Sequence, residues 1–185
     1  MTFQYIEEAI FLFESIIQGD DVEVIPCTLK EVAELETLLP RPYKLPTAYK
    51  EFLLYGGKKM AGVFGGNNFS YKMAKILAED GYRRLFTIVK AWEKKDSFDP
   101  EFFALTEHLG SNMYYLKLTE GENPPIYYWD EEYEVGLEDS EKLYRNLPEM
   151  KYKTFSEFLL RQIRAYGTYF HEDYIKEVTE QKKKN

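Results

Sequence analysis

Phe3, Ile6, Ile10, Phe13 and Ile17 recur at steps of three and four. That spacing lines one side of a helix with apolar groups, so it predicts an amphipathic helix over about residues 3–18, closed by Gly19. Val22 to Ile25 alternates like a short strand. Thr28 and Glu31 then stand three apart, as a capping box requires, and open a second helix with Val32, Leu35 and Leu39 on its inner side. Pro40 and Pro42 end that helix, since neither has a backbone N–H and each restricts the residue before it.

The stretch from Leu45 to Gly57 predicts a third helix. Pro46 and Thr47 mark its start, with Thr47 as the N-cap. Tyr49, Phe52 and Leu53 share one face, and Lys50 and Glu51 point outward. Gly56 and Gly57 then supply a left-handed stop and room for a neighbouring backbone. A phosphate-cradling loop is the chemical alternative, but that needs a preceding strand and a Gly-Lys-Ser/Thr opening a helix. Here the glycines follow a helix, and Gly57 to Met60 holds no hydroxyl, so the marking is architectural.

Met60 to Gly66 alternates like a strand or hairpin, and Ser70 is placed to cap a fourth helix. Met73, Ile76 and Leu77, then Leu85, Ile88, Val89 and Trp92, keep helical spacing on either side of Asp80-Gly81. Three aromatic blocks, Glu101–Glu107, Asn112–Leu118 and Pro125–Glu134, predict an antiparallel meander. With one face of such a sheet against helices, alternate aromatics pack inward. Their neighbours line the open face with wet tyrosine hydroxyls, and Trp129 belongs to the core. Thr154 and Glu157 form a second capping box, opening a helix with Phe155, Phe158, Leu159 and Ile163 inward and a charged tail beyond. No internal repeat is present.

Composition narrows the function classes. The 185 residues are 44% hydrophobic and 17% aromatic, with 16 Tyr and 13 Phe, enough to fill one core. The net charge of −8 argues against general nucleic-acid binding, which depends on clustered cations, and favours a basic partner. Cys27, the single cysteine, has no internal disulfide partner and reads as a small buried hydrophobe in a reducing compartment. Glu7, Glu8 and Glu14 interrupt the apolar N-terminal stretch, so it is expected to be neither a signal peptide nor a membrane span, and the expected location is cytoplasmic. Asn68-Phe69-Ser70 has the form of a glycosylation acceptor, which is idle there.

In order, "LPTAYKEFLLYGG", "FFALTEHLGSNMYYLKLTEGENPPIYYWDEE" and "TFSEFLL" resemble the SUKH superfamily, the Smi/Knr-type domain. The resemblance implies an α+β fold, a central mostly antiparallel sheet flanked by helices, with N-terminal and C-terminal helices added. It implies one domain over 1–185, with a core of about 28–163 and a C-terminal helical extension over 167–185. It implies a bacterial immunity protein, non-enzymatic and without a cofactor. Such a protein binds and neutralises a basic toxin domain, often a nuclease, with no direct nucleic-acid or membrane contact. The chain departs from the pattern at Leu109-Gly110-Ser111-Asn112, where many relatives carry a Gln-Gly-Tyr-like turn, and in its helical insert around residues 70–94 and its tail after Tyr166. A regulatory or scaffold module with an endogenous partner would share these marks. A small-ligand site or enzyme would use the Gly65-Gly66-Asn67-Asn68 turn.

Neither histidine, His108 or His171, lies in a triad or metal signature, and no Cys/His ligand spacing exists. The partner-binding candidates are therefore Asp130, Glu131, Glu132, Tyr133 and Glu134, continued by Glu138, Asp139 and Glu141. They directly follow the Ile126–Trp129 strand; if it ends at one rim of the sheet, carboxylates for steering cluster beside Tyr127, Tyr128, Trp129 and Tyr133 as anchors. An ordinary solvated loop is the competing reading. Asp20, Asp21 and Glu23 are a smaller second candidate.

Overall fold

The computed structural model describes residues 2–16, 23–64, 69–81, 101–108, 112–130 and 149–168. Within them the chain is an α+β assembly. Helix α1 (Glu7–Ile16), strand β1 (Val24–Ile25), α2 (Leu29–Thr37), α3 (Thr47–Gly56) and β2 (Lys59–Met60) come first. Helix α4 (Tyr71–Ile76) with a π-helical turn (Leu77–Gly81), then β3 (Phe102–His108), β4 (Asn112–Lys117), β5 (Ile126–Asp130) and β6 (Glu149–Tyr152) come next. Helix α5 is described over 155–168. Strands β1 and β2 pair as a small antiparallel ribbon; β3-β4-β5-β6 form the expected meander with one further strand.

Both faces of the four-stranded sheet are packed. Phe103, Leu105, Leu116 and Ile126 face the main core with Phe155, Phe158, Leu159 and Ile163 of α5 and Tyr49, Phe52 and Leu53 of α3. The rings interlock: Tyr49 meets Phe103 at 5.5 Å and Phe155 at 5.6 Å, both edge to face, and Phe52 meets Phe69 at 4.7 Å. Each such buried ring contributes about 2–3 kcal/mol through removal from water. On the opposite face Ala104, Met113 and Tyr115 bury against Leu77, with Met73, Phe102 and Tyr127 beside them. The expectation of wet hydroxyls on that face fails at Tyr115, which is 4% exposed with its hydroxyl buried, because α4 and its π-helical turn cover the β3 side.

The boundaries of α1 and α3 differ from the periodicity for one reason: each helix start is set by a glutamate distant in sequence. Helix α1 begins at Glu7 rather than near residue 3, because the carboxylate of Glu51 accepts the N–H groups of Gln4 and Tyr5, both at 2.8 Å, and of Ile6 at 3.2 Å. The helical pattern points Glu51 outward, yet it is 8% exposed, drawn in by these amides. At α3 the N-cap is Pro46, which offers no side-chain bond, and Thr47 is the first helical residue. Both its N–H and its hydroxyl donate to the Glu122 carboxylate, in the loop between β4 and β5.

The same loop holds α5. Asn123 accepts the N–H of Ser156 at 3.1 Å and donates to its hydroxyl at 2.9 Å, while that hydroxyl donates to the carbonyl of Tyr5 at 2.7 Å. Three helix starts are thus tied together by Glu51, Glu122, Asn123 and Ser156. The capping box at Thr28 and Glu31 is complete. The one at Thr154 is half complete: Thr154 accepts the N–H of Glu157, whose own carboxylate takes the N–H of Lys153 instead.

The glycine pair works by close approach alone. Gly57 has a right-handed φ of −62°, so the predicted left-handed stop is absent. A Cβ on Gly57 would lie 2.6 Å from the Leu53 Cα, and one on Gly56 would lie 3.2 Å from the Met60 Cβ. The predicted Ser70 cap is present, accepting the N–H of Met73.

Candidate functional site

Strand β5 carries the predicted interface up to its edge. Asp130 is its last residue and pairs with Asn112 of β4. Glu131, Glu132, Tyr133, Glu134, Glu138, Asp139 and Glu141 lie outside the described residues, as do the side chains of Asp130 and Trp129. Earlier in the strand, Tyr127 and Tyr128 point to opposite faces, as alternation requires.

Tyr128 joins an aromatic file across the core-facing side, 4.8 Å from Tyr114, with the Lys151 ammonium 6.0 Å from its ring centre. Tyr127 stacks on Tyr115 at 5.5 Å and donates its hydroxyl to Glu120 at 2.9 Å. Partial burial, and then the Glu120 carboxylate, push the Tyr127 phenol up to about 12. The Lys117 ammonium lies over the rings of both Phe102 and Tyr127, at 5.4 and 5.5 Å, and 3.8 Å from Glu120. These strands therefore present a polar-tipped aromatic cluster at the Tyr127 end of β5, with Asp130 at the strand's other end.

Glu23 is paired with Lys59 of β2, while Asp20 and Asp21 lie outside the described residues. His108 ends β3, its side chain not described; His171 and the Gly65–Asn68 turn lie outside the described residues. Among the described residues no group of His, Cys, Asp and Glu is arranged to hold a metal ion.

Cys27 is buried and free, and burial, then the neighbouring Glu31 carboxylate, push its thiol up to about 11. A groove of about 610 Å³ lies between the end of α2 and the following loop, lined by Glu36, Leu39, Arg41, Tyr43 and Lys44 among others. Its carboxylate is already engaged, since Glu36 takes the N–H of Leu45 and the Lys50 ammonium.

Sequence reading passed over one exposed feature. Phe11 of α1 is 75% exposed, on the side of the helix away from the core. Its signal was an aromatic off the apolar stripe, flanked by Glu7, Glu8 and Glu14 at helical spacing.

The sequence profile of the SMI1 / KNR4 family (SUKH-1) matches residues 26–161. The chain belongs to that family, an immunity-type domain that is generally non-enzymatic and is associated with protein partners. The match starts after α1 and ends within α5, although Ile6, Ala9 and Phe13 of the N-terminal segment are fully part of the main core. A comparison with curated proteins gave no match. Among the described residues no helix is long and apolar enough to cross a membrane.

Proposed function

We propose that this chain is a bacterial immunity protein that neutralises a toxin in the cytoplasm by binding it, as a single domain over 1–185, without chemistry of its own. The observation that carries the reading is the SMI1 / KNR4 (SUKH-1) match over 26–161 on a chain with a net charge of −8. A nuclease grips phosphates with a basic surface, so an acidic protein meets it with complementary potential. The proposed contact is Asp130, Glu131, Glu132, Tyr133, Glu134, Glu138 and Asp139. Strand β5 carries Tyr127 and Tyr128 and ends at Asp130, the first residue of that segment. Carboxylates speed encounter, and anchored aromatics slow release, so the toxin's active site stays covered.

The test is titration of the purified chain into the basic toxin domain encoded beside its gene, reading toxin activity. Stoichiometric inhibition, with association slowed by salt and by reversing Glu131, Glu132 and Glu134 to lysine, is expected. A toxin that stays active in a formed complex, or a gene neighbourhood holding an endogenous regulatory partner instead, would favour a scaffold role.

A further inference from the structure

We infer that the outer face of α1 is a second docking surface, with Phe11 as its anchor, for a basic protein surface holding an apolar pocket; the choice of partner rests on the immunity function proposed for the chain. Phe11 is three-quarters exposed in the middle of a ten-residue helix, while Ala9 and Phe13 on the opposite side are buried. Glu7 and Glu8 lie one turn before Phe11 and Glu14 one turn after, all exposed, and α1 carries no lysine or arginine. The ring therefore stands inside a border of carboxylates, the arrangement of an anchor within a polar rim.

Helix stability explains only part of this border. Glu7 and Glu8 sit in the first turn, where negative charge suits the helix dipole. Glu14 sits in the last turn, where it opposes the dipole, and it accepts the hydroxyl of Tyr55, which packs against Phe13, at 3.2 Å. Phe11 gains nothing from its exposure in the isolated chain. Both residues fit an external cationic partner. A second copy of α1 would bring like charges together and is disfavoured.

Helix α1 also lies outside the residues that match the family. A family that shares one scaffold needs features beyond that scaffold to tell one partner from another, and this face is one of them. It shares no residue with the 130–139 segment, so the two can be substituted independently.

The experiment uses the full chain and the basic toxin domain encoded beside its gene, with binding kinetics and toxin activity read together. Phe11→Ser and Glu8→Gln/Glu14→Gln are compared with Leu29→Ala, another exposed apolar side chain, and with the reversed 131–134 variant. Unchanged circular dichroism and melting temperature establish that each variant is folded. Phe11→Ser is expected to weaken binding at least about tenfold, mainly through faster dissociation. The double glutamine variant is expected to slow association and flatten its salt dependence, and Leu29→Ala to do nothing. Binding by Phe11→Ser equal to the parent overturns the α1 surface while leaving the immunity reading intact. Cross-linking from position 11 to another copy of the chain overturns it in favour of self-association. Absence of any complex, or of any such toxin gene, removes both.

Discussion

The carboxylate of Glu51 accepts the backbone N–H of Tyr5 at 2.8 Å across 46 positions of sequence. With the Gln4 and Ile6 bonds it serves a helix to which it does not belong, satisfying amides that a helix start leaves without intrahelical partners. Because it is nearly buried, removing it strands those amides. Glu51→Ala is expected to cost about 2–3 kcal/mol, and Glu51→Gln less, since its carbonyl still accepts. Hydrogen exchange should quicken first at Tyr5, Ile6 and α1; unaltered protection there would refute the capping role.

Acid should loosen the Thr28 corner. Glu31 is held at about 2, first by the Lys58 ammonium bonding it and then by the Thr28 N–H. A carboxyl depressed in the folded state stabilises above its ordinary value of 4.5, and that contribution fades as pH falls toward 2. Glu31→Gln should therefore flatten the loss of stability between about pH 4.5 and 2. An acid-unfolding curve that keeps its slope would contradict this.

Cys27 should be inert while the fold holds. Its thiol is buried and pushed up to about 11, so little thiolate exists at neutral pH. Alkylation by iodoacetamide at pH 8 should be slow in the native chain and fast in denaturant. Native-rate alkylation matching the denatured rate would mean the β1–α2 corner opens freely.

The glycines separate two costs. Gly57→Ala places a Cβ against the Leu53 backbone, within 2.6 Å, and should destabilise by about 1–3 kcal/mol. Gly121→Ala meets nothing within 4 Å but must hold a φ of +89°, so it should cost about 1–2 kcal/mol through backbone strain alone. Urea denaturation of the two variants checks the pair; a Gly57→Ala chain as stable as the parent would contradict the close approach.

Local rules carried the sequence reading where partners are neighbours. The Thr28–Glu31 box, the Ser70 cap, three meander strands and the inward face of α5 all depend on contacts a few residues apart or on periodicity. The reading failed where partners are remote. Glu51 looked solvent-facing because the amides it accepts lie near the N-terminus, and Thr47 looked like a cap because Glu122 is 75 positions away. Strand β6 escaped notice because Glu149–Tyr152 is short and half charged, held only by pairing with β5. The acidic segment named from the sequence lies beyond Asp130, outside the described residues, and the Lys117–Glu120–Tyr127 cluster was not legible because its members sit on different strands and their connecting turn.

The Ser156 hydroxyl closes onto the Tyr5 carbonyl across 151 positions. A ribosome delivers the chain from its amino end, so α1 waits without this clasp until Ser156 has emerged. Nascent chains that stop short of Ser156 should keep α1 open to proteases, and only the emergence of α5 should shut it.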